Sequence, residues 1–241
     1  MIVLLTDFEA SEYVGVMKGV IYSIAPQVKV VDLCHSICHQ NVIEASWVLK
    51  NNYKYFPAGA IFCCVVDPTV GTERKAIAIK TEKYYFVGPD NGLFWEALGQ
   101  QRVVEIRQIA VTAGTSRTFH GRDVFAKAAA GIELGGFEKS GKTIKKIEKL
   151  QLYQKDREGI VVRIDRFGNI VTNIPSEGKD SYSVVIGQKE YAMRFRLNYS
   201  VARQGQLFFI EGSNNTLEIS LKNASANDRL HLRPGAKIKI S

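Results

Sequence analysis

The sequence predicts two domains: an N-terminal three-layer α/β domain with a largely parallel sheet over residues 1–150, and a smaller C-terminal all-β, barrel-like domain over residues 157–241. Three observations carry this reading. Strand-like and helix-like segments alternate through the first half, the rhythm of βαβ units. Past residue 150 the texture changes to short alternating β-type stretches separated by turn residues. Between the two lies a basic stretch, 139–157, that reads as a linker.

Each element has its own signal. Ile2–Thr6 is a short apolar run, expected as a strand. Residues 13–24 carry Val14, Met17, Ile21 and Ile24 at helical spacing. Val28–Leu33 is strand-like, and Val42–Leu49 is helical with Trp47 on its apolar face. Ile61–Val66 is continuously apolar, as expected for a strand buried on both faces. Ala76–Lys80 and Tyr84–Val87 read as two strands joined by a short polar turn, and Val103–Ile106 as another strand. Residues 121–134 form an Ala-rich helical segment closed by Gly135-Gly136. In the second half the expected strands are Gly159–Ile164, Tyr182–Ile186, Gln206–Ile210, Leu217–Leu221 and Ala236–Ile240, divided by turn signals such as Ser-Asn-Asn and Pro-Gly.

Composition narrows the classes of function. Hydrophobic residues make up 46% of the 241, enough for a real core, yet no apolar run is long enough to span a membrane. The N-terminus lacks the basic flank and long apolar stretch of a signal peptide, so a cytoplasmic location is expected. The net charge of +8 raises nucleic-acid binding. The charge is spread out, however, and its densest run, Lys139–Lys149, has no interleaved aromatics for stacking. A solvated basic face is the expectation, with no nucleic-acid partner. Cys63 and Cys64 sit inside an apolar run as buried free thiols would.

Two motifs invite chemistry without the context it needs. Residues 136–143 fit the phosphate-loop pattern G-x-x-x-x-G-K-T, but they follow a helix rather than a buried strand. A helix C-cap and a solvated basic turn are expected there. Cys34, His35, Cys38 and His39 are spaced loosely like zinc ligands, with no second ligand pair standing out elsewhere. No metal and no cofactor are expected.

The residues that rise above background sit where strands end, the place where open α/β sheets bind ligands. Asp7 follows the first strand; it reads equally as a helix N-cap or as a carboxylate accepting two hydrogen bonds from a ribose diol. Asp67 ends the buried run, Pro68 forces a turn and Gly71 permits a return toward Arg74. An acid and a guanidinium so placed can form a loop-pinning ion pair or part of a reactive centre. Gly88-Pro89-Asp90-Asn91-Gly92 is a turn that shapes its surroundings. Phe119 and His120 open the Ala-rich helix, where the positive end of the helix dipole favours a neutral imidazole. In the second half Asp165 ends a strand, and Phe167 and Asn169 offer a ring face and an amide, suited to a planar base; an Asx-bonded β-turn is the alternative.

Taken together, the stretches TDFEASEYVGVMKGVIYSI, VVDPTVGTERKAIAIKT, VGPDNGLF, TFHGRDVFAKAAA and VRIDRFGNIVTNI resemble the SAM hydroxide adenosyltransferase family, relatives of the fluorinases and chlorinases. The resemblance implies a homotrimer with its ligand between the first domain of one subunit and the second domain of a neighbour. It implies hydrolysis of S-adenosylmethionine to adenosine and methionine, with Asp67, Arg74 and His120 as the catalytic set. The halogenating relatives carry a tyrosine where this chain has Asp67, which favours water over halide. By the same resemblance Asp7 holds the ribose hydroxyls, Asp165 meets the methionine amino group, and Phe167 and Asn169 lie beside adenine. Ser213, Asn214, Asn223 and Ala224 fall where the family binds the methionine carboxylate and adenine edge, and Phe119 lies beside the substrate. The first loop departs from the family in reading Asp-Phe-Glu; whether Glu9 or Glu12 supplies the usual acid there stays open. The alternatives are a halide adenosyltransferase, a non-catalytic adenosine or S-adenosylmethionine binder and, from the phosphate-loop pattern alone, an NTPase.

Overall fold

Strand β1 (Ile2–Thr6) has no exposed side chain, and its alternate residues enter two different cores. Ile2 and Leu4 pack with helix α1 (Glu12–Ile24) and helix α4 (Lys127–Glu133). Val3 and Leu5 pack with helix α2 (Val42–Asn52) and the short helix α3 (Trp95–Leu98). This is the period-2 alternation of a strand with helices on both its faces. The same split separates the adjacent Cys63 and Cys64 onto opposite faces of β3 (Ile61–Val65). Both thiols are free and fully buried, and burial pushes the Cys63 thiol up to about 12, so neither is a nucleophile.

The computed structural model describes all residues, 1–241, and divides them into two units, Met1–Gln151 and Leu152–Ser241. In the first unit the remaining strands are β2 (Val30–Cys34), β4 (Ala76–Thr81), β5 (Tyr85–Pro89), β6 (Val103–Ile109) and β7 (Gly141–Thr143). The sheet order is β2-β1-β3-β5-β4-β6-β7. Strands β2, β1, β3 and β5 pair parallel, whereas β4 runs antiparallel to both β5 and β6, and β7 antiparallel to β6. The sheet is thus mixed, with most strands pointing one way. The three-residue link between β4 and β5 is too short for a parallel crossover, so that pair is a hairpin.

The helical segment after His120 begins as a π-helical turn, Gly121–Ala126, before continuing as α4. π turns inside helices tend to sit at functional sites. The phosphate-loop pattern resolves into a helix end and a strand. Gly136 N donates to Gly131 O at 2.9 Å, and Gly135 takes a positive φ of 83°, the C-cap expected. Gly141–Thr143, expected as a solvated turn, is instead edge strand β7, because Gln108 and its neighbours in β6 offer it a free ladder. Residues 136–143 hold only a single 3-10 turn, Phe137–Lys139, before β7, and open no α-helix that could cradle a phosphate.

The second unit is a nearly closed antiparallel barrel of β8 (Glu158–Ile164), β9 (Ile170–Pro175), β10 (Ser181–Ile186), β11 (Lys189–Arg194), β12 (Leu207–Glu211), β13 (Thr216–Leu221) and β14 (Lys237–Ile240), with the short helix α5 (Asn227–Leu230). Its order is β11-β10-β14-β8-β9-β13-β12, and a single Phe195–Phe209 bridge joins the two ends. Strands β9 and β11 are absent from the sequence reading. β9 opens on Ile170, Val171 and Thr172, strong strand formers whose run Asn173 and Pro175 interrupt, whereas β11 lacks Val, Ile and Thr and is held by its hairpin with β10.

Candidate active site

The loop between β3 and β4 holds a buried pair of opposite charges, Asp67 and Arg74. Asp67 follows the buried strand directly, and its side chain is only 5% exposed; that of Arg74 is 7% exposed. Two tight turns bring them together: Val70 N donates to Asp67 O, and Thr72 N to Thr69 O. Gly71 is required at the corner, since its φ is 79° and a Cβ there would collide with the carbonyl oxygen of Arg117. Asn91 Nδ2 donates to Val66 O at 2.9 Å, so the Gly88–Gly92 turn clamps the loop one residue before Asp67.

Arg74 uses its fork fully on this side. Its Nε donates to Asp67 Oδ1 at 3.0 Å and Oδ2 at 2.9 Å, and its Nη2 also donates to Oδ2. The same Nη2 lies 2.7 Å from His120 Nδ1. A guanidinium only donates, so Nδ1 must accept, and the imidazole proton resides on Nε2. Burial, and next the positive charge of Arg74, push the His120 pKa below its usual 6.5, against the opposing pull of Asp67 and Asp123. His120 is thereby fixed as a neutral ring in one tautomer, and it sits at the N-cap of the π turn, where the helix dipole acts in the same direction. Phe125 stacks under the guanidinium, 5.2 Å from ring centroid to Cζ.

Asp67 and His120 face a hollow of about 500 Å³ that Asp7, Phe8, Tyr13 and Phe119 also line. Asp7 is not a helix N-cap: α1 starts at Glu12 behind Ser11. Its Oδ2 instead accepts from Gln40 N at 2.7 Å, which leaves Oδ1 without a bond and the carboxylate facing the hollow. Phe8, Tyr13 and Phe119 form an edge-to-face trio, with Tyr13 and Phe119 centroids 4.9 Å apart. Phe8 and Tyr13 were missed as lining residues, although the Phe-Glu-Ala-Ser-Glu-Tyr spacing places both beside Asp7. Glu9 and Glu12 do not settle which is the acid of this loop: Glu9 lines the hollow with a left-handed φ of 52°, and Glu12 belongs to the first turn of α1.

The cysteine–histidine cluster is taken up by other bonds. His35 Nδ1 meets Thr6 Oγ1 at 2.9 Å and its Nε2 meets Asp32 at 3.0 Å, while His39 is exposed beside Glu9. No group of three or more His, Cys, Asp or Glu side chains converges as metal ligands would.

In the second unit Asp165, Phe167, Asn169, Asn223 and Ala224 line one hollow of about 730 Å³. Asp165, Phe167 and Asn169 are placed by the five-residue connection between β8 and β9, and Asn223 and Ala224 by the link from β13 to α5. Asp165 Oδ1 accepts from Phe167 N at 2.8 Å and Asn169 N at 2.9 Å, and Oδ2 from Asn169 Nδ2 at 2.9 Å. The Asx turn and the hollow are therefore one structure: the turn is what presents Phe167, 67% exposed, over the opening. Gly168, with φ of 78°, lies so close to Ser225 that a Cβ would collide with it, and Asn227 N bonds Gly168 O at 3.0 Å. Tyr199 is a further lining residue with its hydroxyl 3.4 Å from Asn169 Nδ2; nothing in its loop sequence signalled it. Ser213 and Asn214 lie on the β12–β13 turn and line neither hollow. Glu218 in β13 is half-buried without a counter-charge; burial, and next the charge of Asp165, push its pKa up to about 7.

Comparison with known proteins agrees with this division. Residues 2–141 match the family described as SAM hydroxide adenosyltransferase N-terminal domain, and residues 159–239 the corresponding C-terminal domain. The chain is 41% identical over 187 residues to the (R)-S-adenosyl-L-methionine hydrolase of Methanocaldococcus jannaschii, covering 73% of this chain and 68% of that protein. It is 34% identical over 254 aligned positions to the enzyme of the same name from Thermus thermophilus, covering 98% and 97%. The fluorinase of Actinopolyspora mzabensis is more distant, at 27% identity over 70% of this chain and 69% of the fluorinase. Among solved structures, an uncharacterized conserved protein from Thermotoga maritima superposes with a TM-score of 0.90 at 35% identity, with all of both chains covered. On two family matches that together span most of its length, the chain belongs to the SAM hydroxide adenosyltransferase family.

Proposed function

We propose that this protein hydrolyses S-adenosyl-L-methionine, in the (R) form that its relatives' names specify, to adenosine and L-methionine. The observation that carries the reading is the buried chain of contacts from Asp67 through Arg74 to His120 Nδ1, at the wall of a hollow that Asp7 also lines. In the reaction the C5′–S bond breaks, its electron pair stays on sulfur to give a neutral thioether, and a C5′–O bond forms. One proton is released. Sulfur is already positive, so the departing group needs no acid and no cofactor; the weak point is water as a nucleophile.

The roles follow from the hydrogen-bonding inventory. Asp67 is the acceptor for a water proton, and Arg74 holds its carboxylate in place. With its proton on Nε2, neutral His120 donates to the water oxygen and fixes the direction of the remaining lone pair. That makes His120 an orienting group rather than the base. Asp7 accepts from the ribose diol, and Phe8, Tyr13 and Phe119 exclude bulk water around the nucleoside. Asp165, Phe167, Asn169, Asn223 and Ala224 supply the contacts to base and amino acid from a neighbouring subunit. Assembly through this unit is supported by the apolar surface of Phe167, Leu197, Tyr199 and Val201, exposed by 46–85%, and the trimer rests on the family resemblance. We place Ser213 and Asn214 at the methionine carboxylate on the resemblance alone, and the enzyme in the cytoplasm.

The test is chromatography of purified protein incubated with each epimer of S-adenosylmethionine. Adenosine and methionine in equal amounts support the proposal. Bound S-adenosylmethionine recovered intact, or 5′-halo-adenosine formed with chloride or fluoride in place of adenosine, refutes it.

A further inference from the structure

One hollow of the second unit carries a charge pattern that the proposed reaction does not use. It opens at the seam of the barrel, where β11 and β12 meet through the Phe195–Phe209 bridge and a 2.8 Å bond from Arg196 N to Phe209 O. Its volume is about 490 Å³. Arg194, Arg196, Arg203 and Arg229 line it, and no carboxylate does. Arg194 and Arg196 are two residues apart, so the extended chain directs both to one side. Arg203 enters from the turn that ends at Gln206, and Arg229 from α5. Arg229 Nη1 donates to Gly205 O at 2.6 Å, which ties α5 to that turn and fixes one side of the hollow.

None of these four guanidinium groups has an ion-pair partner. Some other cations of the same unit are matched: Arg157 and Lys179 share Glu177, and Lys239 meets Glu158. Like charges gathered around one concavity repel one another and raise the local concentration of anions. Each guanidinium also presents a planar fork of N–H donors that fits phosphoryl oxygens two at a time. A single phosphate would leave most of a hollow of about 490 Å³ unfilled, whereas a short chain of phosphoryl groups fills more of it and brings more negative charge to the four guanidinium groups.

We propose that this seam hollow, lined by Arg194, Arg196, Arg203 and Arg229, is a binding site for an oligophosphate anion, free or as the tail of a nucleotide. It is independent of the reaction proposed above.

The experiment is titration calorimetry of the full-length protein with tripolyphosphate and, separately, with ATP, at low and at physiological salt. The expected result is saturable binding of one anion per chain that weakens as salt rises. Arg194→Ala/Arg203→Ala should weaken it about tenfold or more, a loss of roughly 1.4 kcal/mol. Arg194→Lys/Arg203→Lys, which keeps the charge and removes the forks, should fall between that variant and wild type. Arg102→Ala, at an exposed pair with Glu82 in the first unit, should bind as wild type does. Circular dichroism establishes that each variant is folded. Equal affinity for the two probes assigns recognition to the phosphate chain alone, and tighter binding of ATP assigns it to a nucleotide. The proposal is overturned by the absence of saturable binding to either probe, by unchanged affinity in the double alanine variant, or by binding of a single-stranded oligonucleotide when neither probe binds.

Discussion

Replacing Arg74 with alanine tests the arrangement on which the proposed chemistry depends. Both partners of the Asp67–Arg74 pair are more than nine-tenths buried, and the guanidinium reaches both carboxylate oxygens and His120. Removing it leaves a buried carboxylate with no counter-charge, which costs about 3–5 kcal/mol of stability. In an Asp67→Asn/Arg74→Ala protein the orphaned charge is gone, so the double variant should be less destabilised than the sum of the two singles. The expected coupling is about 2–3 kcal/mol. Both tryptophans, Trp47 and Trp95, lie in the first unit, so urea unfolding followed by their fluorescence reports that unit alone. Arg74→Ala should also raise the His120 pKa, because one cause of its depression is removed. A loss under about 1 kcal/mol for Arg74→Ala, or additivity of the two substitutions, would refute the claim that this pair is the electrostatic centre of the loop.

Other outcomes follow from the same geometry. Because the folded-state pKa of His120 lies below 6.5, its neutral form contributes stability above that pH, and the contribution is lost as pH falls toward the folded value. Turnover should fall along the same acid limb, since a protonated ring cannot accept from Arg74; a pH–rate profile flat across that range contradicts the assigned tautomer. Glu218 has the opposite sign. Its pKa rises from 4.5 to about 7 on folding, so stability is lost as pH climbs through that window, and Glu218→Gln should be more stable than wild type at alkaline pH by about 1–3 kcal/mol in calorimetry. Asp7→Ala should cost about 1 kcal/mol of stability through the lost bond to Gln40 N and weaken adenosine binding about tenfold, measured by calorimetry. Gly168→Ala should cost more than about 1 kcal/mol and weaken the same ligand, through its left-handed φ and its contact with Ser225; wild-type affinity would separate this turn from the nucleoside site.

Local signals in the sequence reached some parts of this molecule better than others. Ile61–Val65 and Glu12–Ile24 were legible because burial on two faces or on one leaves a distinct apolar period. β7 and β11 were not, because each is held by a neighbour's ladder rather than by its own residues; β9 has an apolar signal of its own in Ile170, Val171 and Ile174, which Asn173 and Pro175 interrupt. Asp67, Arg74 and His120 stood out by their places in loops beside strand and helix ends, and His120 also as one of only four histidines. Their hydrogen-bond directions did not, so the assignment of His120 as donor rather than base required the position of Arg74 Nη2. Phe8 is adjacent to Asp7 in sequence, yet its ring trio with Tyr13 and Phe119 closes only when the first loop and the π turn meet in space. Tyr199 comes from a loop with no periodic pattern, and the four arginines at the barrel seam come from the end of β11, the segments after it and α5, so only the closing of the barrel gathers them.

The central claim is that solvent oxygen attacks the nucleoside carbon. Turnover of S-adenosylmethionine in water enriched in oxygen-18, followed by mass spectrometry of the adenosine, tests it directly. The account predicts one heavy oxygen at the 5′ position of each adenosine formed, with the label absent from methionine. Adenosine that carries only the light isotope would contradict it.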